Sequence, residues 1–345
     1  GARFEVCLGG GGRRAVAAAA IAADLGLRGT PPQAARAASN KLSTRRCFEA
    51  HGLPGPWFRV LAPGQPAAAG QAADMTFPCV VKPLSMAASQ GVVRADTRAA
   101  LAAAVERVRR LGARADPPLE VLVEGYIPGR EVALEGILTA GRLRVLAIFD
   151  KPEPLEGPFF EETIYVAPGG GADTPSIADA VQRAVTALGL TDGPIHAECR
   201  INAEGMFVLE VAARPIGGLC SRVLRFDGPP ARGISLEELL LRHALGGDAA
   251  EWRREARAAG VMMIPIPSAG RLERVDGLDA ARAVGGVEEV VITARRGQTI
   301  QPPPDGGSYL GFILARAARP PAVTAALRAA HGRLRIRIQP VIPVV

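Results

Sequence analysis

Ile195-His196-Ala-Glu198-Cys-Arg-Ile-Asn202-Ala-Glu-Gly205-Met206-Phe-Val-Leu-Glu210-Val-Ala212-Ala-Arg214-Pro-Ile-Gly217-Gly218 is the stretch on which the fold turns. Two runs rich in apolar residues flank Ala203-Glu204-Gly205. A three-residue hairpin loop with glycine at its left-handed position is a common connection between antiparallel strands. In that register Asn202 lies opposite Met206, Glu198 faces Glu210 and His196 faces Ala212. Like charges directly opposed across a ladder are unfavourable. Facing a core they require a cation, and Mg²⁺ held by one or two carboxylates plus substrate phosphates is the ordinary solution. A slip of one residue would instead send the glutamates to opposite faces, in water. The place of the glycine favours the paired register.

Working outward, the cations carry the next signal. The chain has 345 residues, 41 of them lysine or arginine and 34 aspartate or glutamate, for a formal net charge of +7. Only Lys41, Lys82 and Lys151 are lysines. Where arginine serves almost everywhere, a surviving lysine marks a place that guanidinium does not fit. Its ammonium is a compact point charge, suited to phosphate oxygens in a tight pocket. Chance survival is the competing account for any one of them. Lys82 ends the run Phe77-Pro-Cys-Val-Val-Lys82-Pro83, which reads as a buried strand stopped by proline. Leu84-Ser-Met-Ala-Ala-Ser89-Gln90-Gly91 follows, and predicts a hairpin loop able to lie over a phosphate chain with its backbone N–H groups. It is not a Walker loop, since no G-K-[ST] is present.

Apolar residues Leu101, Val105, Val108 and Leu111 then recur at helical spacing and predict a helix over 98–111. Leu119-Glu-Val-Leu-Val-Glu124 predicts a strand with Glu124 at its end, before a Gly/Pro-rich turn. A carboxylate there can accept from an exocyclic amine, and Glu131 can hold two vicinal hydroxyls. A hairpin with exposed glutamates fits this segment alone as well.

Composition excludes several classes. The apolar stretches are interrupted well before the roughly 18–20 residues a membrane span needs, and no secretory leader pattern is present. Five cysteines, odd in number and with no C-x-x-C pair, fit reduced thiols in a cytoplasm. The positive charge suggests nucleic acid, but the arginines come as scattered pairs and aromatic residues are only 4%, which leaves little to stack bases on. Arg333-Leu-Arg-Ile-Arg-Ile alternates, and reads as a strand with one solvated face. A polyanionic small molecule also suits a positive field.

The order Asn40-Lys41, Val81-Lys82-Pro83, the small-residue loop, Glu124-Gly-Tyr126-Ile127-Pro-Gly-Arg-Glu131, then Glu198, Glu210 and Arg214 resembles an ATP-grasp enzyme. Within that superfamily it is most similar to the L-amino-acid ligases, which make dipeptides. The loop over 150–163 and the segment Gly307-Ser-Tyr-Leu-Gly-Phe312 share in the resemblance, which runs from about Arg13 to the C-terminus. It implies an α+β ATP-grasp fold: two α+β lobes sandwiching ATP, with a partial N-terminal αβ lobe. The implied boundaries are 1–55 for that lobe, 56–135 for the small ATP lobe, 136–250 for the large one, and 251–345 for a C-terminal segment packing on it.

The resemblance further implies the following roles. Lys41 and Lys82 would contact the phosphates, beneath a loop carrying Ser89 and Gln90. Glu124 and the backbone of Tyr126 and Ile127 would read adenine, and Glu131 would hold the ribose. Glu198 and Glu210 would carry Mg²⁺. Arg214 and Lys82 would be catalytic, Arg214 stabilising the transferred phosphoryl group. His196, Gly217 and Gly218 would meet substrate, the glycines by close backbone approach. The implied reaction joins an amino acid carboxylate to the amine of a second amino acid through an acyl phosphate, releasing ADP and phosphate. Amino acids are then the partners, without nucleic acid or membrane, and a homodimer is an allowed assembly.

Glu210-Val-Ala212 departs from the usual acidic-x-Asn metal motif, and Ala87 and Ala88 stand where glycine is common and would stiffen the loop. About 40 residues precede Lys41, so the N-terminal lobe is expected to be reduced or represented in part. A biotin-carboxylase-like or purine-type ligase is the first rival reading, and a basic nucleic-acid-binding protein the second.

Overall fold

The computed structural model describes residues 7, 9, 11–65, 75–84, 86, 89–113, 120–153, 156–161 and 163–340. Ser85, Ala87, Ala88 and Glu162 lie outside the described residues.

Three helices come first: α1 (Gly12–Asp24), α2 (Pro32–Ala38) and α3 (Lys41–Ala50). The Asn40 side chain accepts from the Ser43 backbone N–H at 3.0 Å, an N-cap bond that sets the start of α3 and so the place of Lys41. The small lobe follows: β1 (Phe58–Leu61), β2 (Cys79–Pro83), β3 (Val93–Ala95), α4 (Arg98–Leu111) and β4 (Val121–Gly125). Its sheet runs in the order β1-β4-β2-β3, all antiparallel. Thr97 caps α4 on the Ala100 N–H, and the apolar stripe Leu101, Val105 and Val108 packs on Cys79, Val81 and Val123.

The large lobe opens with β5 (Arg130–Thr139), β6 (Arg142–Asp150), β7 (Ile164–Ala167), α5 (Thr174–Leu188), β8 (Gly193–Asn202) and β9 (Gly205–Ala212). After β10 (Arg225–Gly228), β11 (Ala231–Ser235), α6 (Leu236–Ala244) and β12 (Arg253–Arg254) comes β13 (Ala258–Ile264). The chain ends with β14 (Gly270–Asp276), α7 (Leu278–Arg282), β15 (Val287–Ile292), β16 (Thr299–Ile300), β17 (Gly311–Ala317), α8 (Pro320–His331) and β18 (Arg335–Gln339). One eight-stranded sheet runs β15-β17-β13-β7-β6-β5-β8-β9. Its β5–β9 end is covered on one face by α5, and on the other by a core that includes Leu236 and Leu239 of α6. A strand covered on both faces loses the inside–outside alternation of half-buried strands. In β5 only the two end residues are exposed, so Glu131 and Glu135 are held inside.

Two expected domain boundaries move. The break at 135/136 falls inside β5, and the large-lobe sheet continues past 250 because β13 and β17 pair into it. Only β14, β16 and β18 form a sheet of their own after that point. The alternating arginines are confirmed as one outer face of β18, with Arg335 and Arg337 exposed and Ile336 and Ile338 half-buried.

The β8–β9 hairpin corrects its expected loop but not its chemistry. Asn202 pairs with Gly205, not Met206, leaving a two-residue loop. The ladder runs one residue out of the expected register until an irregularity near Leu209 restores it. Glu198 faces Glu210 and His196 faces Ala212 as expected, because the bulge absorbs the difference.

The lobes are joined at several points. Residues 126–129 lead from β4 into β5, and a Cβ at Gly129 would sit 2.2 Å from the Ile201 carbonyl oxygen. At the other side the 302–306 turn grips the small lobe. Gly91 N–H donates to Pro304 O at 2.8 Å, Gln90 Nε2 to Asp305 O at 2.9 Å, and Arg107 meets the Asp305 carboxylate with two bonds at 2.7 and 2.8 Å. No described helix is long and apolar enough to cross a membrane.

Candidate active site

Between the lobes lies a cavity of about 400 Å³, within the range of small-molecule sites. Lys41 of α3, the small-lobe residues Lys82, Ser89 and Glu124, and Tyr126 and Ile127 of the connection form one wall. Glu131, His196, Glu198, Glu210 and Arg214, with Gly217 and Gly218, form the other. Of the residues given a site role in the sequence, Gln90 alone does not line it, its carboxamide being bonded to the Asp305 carbonyl.

The cations and carboxylates alternate. On the small-lobe side Arg45 Nε donates to Glu124 Oε2 at 2.9 Å and Lys82 Nζ to Glu124 Oε1. Glu124 is therefore a buried anchor for Lys82, not a free carboxylate at a strand end. Burial would raise its pKa, but Arg45 and then Lys82 outweigh it and hold the carboxyl at about 2. Burial pushes the Lys82 ammonium down, against the pull of Glu124.

On the large-lobe side the order is Arg200, Glu131, Lys151, Glu198, His196, Glu135. Arg200 Nε meets Glu131 Oε2 at 2.9 Å, and Lys151 Nζ bridges Glu131 Oε1 at 2.6 Å to Glu198 Oε1 at 3.0 Å. His196 Nε2 lies 3.6 Å from Glu198 Oε1, and Nδ1 lies 2.5 Å from Glu135 Oε1. These residues share a face because they are ladder partners: Glu131 with Arg200, Ala133 with Glu198, Glu135 with His196. Burial opposes ionisation of Glu198, but Lys151 and His196 hold its pKa well below the usual range. Burial also opposes the His196 imidazolium, yet Glu135 lifts its pKa to about 9.

The opposed pair is thus partly neutralised by the protein itself, since Lys41 Nζ stands 3.5 Å from Glu210 Oε2. Among the described residues no group of three or more Asp, Glu, His or Cys gathers to hold a metal. Mg²⁺ does not need one: one or two carboxylates with phosphate oxygens and water complete its shell. Glu198 and Glu210 fit that role, and Ala212 adds no side-chain ligand.

Gly218 has φ +62°, and a Cβ there would fall 2.1 Å from Met263 Cε. Glycine keeps the chain close to the cavity wall at that turn.

Three residues of this site, Arg45, Arg200 and Glu135, were not singled out by sequence reasoning, and Lys151 was marked but given no role. The lysine count pointed at Lys151. Glu135 stands four residues after Glu131, on the same face of an extended strand. Nothing marks Arg45 or Arg200 among so many arginines.

Known proteins share this fold. The ATP-grasp domain profile matches residues 75–223, and the L-amino acid ligase C-terminal domain 2 matches 262–339. The uncharacterized protein y4rH of Sinorhizobium fredii is 28% identical over 301 residues, 86% of this chain but only 60% of that protein. A D-alanine–D-alanine ligase of Gloeobacter violaceus is 33% identical over 227 residues, 62% of this chain and 70% of that one. The crystal structure of an L-amino acid ligase from Bacillus licheniformis superposes with a TM-score of 0.80 at 30% identity, covering 95% of this chain and 80% of that one. With its two-lobed cavity, paired carboxylates and converging lysines, this chain belongs to the ATP-grasp superfamily and carries the C-terminal domain of the L-amino acid ligases.

Proposed function

We propose that the chain is the catalytic core of an ATP-dependent ligase that joins two amino acids through an acyl phosphate. One observation carries this reading: Glu198, Glu210 and Arg214 line the same cavity as Lys41 and Lys82. Phosphoryl transfer is mostly positioning and charge neutralisation, and these groups supply both. Lys41 and Lys82 hold phosphate oxygens as point charges, while Tyr126, Ile127 and Glu131 hold the nucleoside. Mg²⁺ on Glu198 and Glu210 would neutralise charge on the β- and γ-phosphates. Arg214 meets the charge that develops as a substrate carboxylate oxygen attacks the γ-phosphorus and ADP leaves. The amine of the second amino acid then attacks the acyl carbon, and phosphate departs. The C-terminal domain match favours an amino-acid ligase over a carboxylase or purine-type enzyme of the same fold, and over a nucleic-acid-binding protein.

The test is product analysis with ATP, Mg²⁺ and pools of amino acids. ADP and phosphate are expected, with a hydroxamate trapped by hydroxylamine when only the first amino acid is present. Arg214→Ala should abolish trapping and leave ATP binding intact. AMP and pyrophosphate as products would overturn the mechanism, and bicarbonate-dependent ADP release without an amino acid would favour the carboxylase. The D-alanine–D-alanine ligase relative supports a second reading, in which D-alanine alone sustains turnover.

A further inference from the structure

We infer that Glu135 is the positioning residue of the turn from Arg214 to Gly218. Its side chain is only 3% exposed, on the inner face of β5. Oε1 accepts from His196 Nδ1 at 2.5 Å, and Oε2 accepts from the Ile216 backbone N–H at 3.0 Å. Ile216 stands between Arg214 and Gly217 in sequence, and all three line the cavity. β9 ends at Ala212, so the ladder does not carry the turn. Onward the backbone bonds are local: Cys220 N–H donates to Gly217 O at 3.2 Å, and the Arg214 guanidinium donates to the neighbouring Pro215 O at 2.9 Å. The Glu135 bond ties this turn to the centre of the large sheet.

The side chain's chemistry follows from its two donors. Burying a carboxylate is costly unless its oxygens are bonded. Two donors converge here, and an ionised carboxylate is the side chain that offers two acceptor oxygens and no donor. Glutamine offers one oxygen, and an apolar residue none. One side chain therefore fixes both the imidazole beside Glu198 and the backbone that aims Arg214. The two halves of the transfer machinery, metal carboxylate and arginine, are set by a residue that touches neither ATP nor Mg²⁺.

This inference rests on the γ-phosphoryl-transfer reading above, and its test separates the two. ADP, Mg²⁺ and aluminium fluoride mimic the transferring phosphoryl group without any amino acid. The parent chain should bind ADP at least tenfold more tightly when fluoroaluminate is present. Glu135→Met fills the same space without acceptors, and should lose that gain while its affinity for plain ADP stays within about twofold. Glu135→Gln keeps one oxygen for the Ile216 amide and should recover most of the gain. Amide hydrogen exchange at Ile216 should speed up at least tenfold in Glu135→Met and stay slow in Glu135→Gln. A Glu135→Met variant that keeps the full gain, or that loses plain ADP affinity by the same factor, overturns the positioning role. If the parent chain shows no gain with fluoroaluminate, the phosphoryl-transfer reading fails. The Ile216 exchange rate then decides the positioning contact alone, and an unchanged rate in Glu135→Met overturns it.

Discussion

Replacing Arg45 with methionine removes the guanidinium that holds both oxygens of Glu124. Arg45 Nε and Nη2 lie 2.9 and 3.3 Å from them, with the two side chains 4% and 5% exposed. The Val208 carbonyl loses its Nη1 donor, at 3.2 Å, in the same step. Removing one partner of a buried pair costs about 3–5 kcal/mol. Lys82 remains on the carboxylate, so the lower end, about 3 kcal/mol at pH 7, is expected. The titration of Glu124 sets the pH window, its folded pKa of about 2 lying below the ordinary 4.5, against burial, under the joint pull of Arg45 and Lys82. Because the folded value is the depressed one, this stabilisation is complete above about pH 4.5 and drains away as the pH falls towards 2. The Arg45→Met deficit should therefore be full at pH 7 and smaller at pH 4. For a chain of this size about 3 kcal/mol is a fall in Tm of roughly 4 °C. Thermal unfolding at the two pH values, with the Glu124→Gln and double variants, closes the cycle. The double variant should be more stable than Arg45→Met alone, since it no longer strands a charge. Additive losses, or a deficit equal at both pH values, would refute the reasoning.

Three further expectations follow from the same geometry. Lys82→Arg should fold yet lose at least about tenfold in turnover, because the planar guanidinium overfills a site built for a point charge; unchanged ATP affinity and rate would show the lysine to be incidental. Glu210→Gln should raise the Mg²⁺ concentration needed for half-maximal ADP formation by at least about tenfold, with Glu198→Gln close behind, since each removes a carboxylate from a two-carboxylate site; an unshifted Mg²⁺ dependence would place the ion elsewhere. Arg107→Ala should cost about 1 kcal/mol of stability, because its pair with Asp305 is only half-buried, yet speed the release of a fluorescent ATP analogue about threefold at low salt. The difference should fade at high salt, and equal release rates at low salt would dismiss the 302–306 turn as a latch.

Much of the site could be read before the fold. A glycine after a short turn set Glu198 against Glu210, and rare lysines marked positions in or beside the cavity wall. The pairing survived even though the loop was misjudged, because a bulge near Leu209 is invisible to a pattern that assumes an unbroken ladder. Glu124 and Glu131 were legible as pocket residues but not as anchored ones. Their partners, Arg45, Lys82, Arg200 and Lys151, come from four separate stretches of chain, and only the fold brings them together. The domain boundaries failed for a related reason. β13 and β17 join the β5–β9 sheet only through long-range pairing, which no local pattern shows.

The three lysines of these 345 residues all stand at the site, with side chains 19%, 13% and 2% exposed for Lys41, Lys82 and Lys151. The remaining surface offers no ε-amine at all. Leaving the α-amine aside, acylating reagents and amine-directed dyes will therefore meet their side-chain targets at the site on this chain, with Lys41 the most exposed of the three. Nucleotide should shield it, so that the extent of acetylation read by mass spectrometry becomes a direct occupancy gauge. Attachment to a support through lysine would silence the protein, and coupling through cysteine or an added tag is the route that leaves the cavity free.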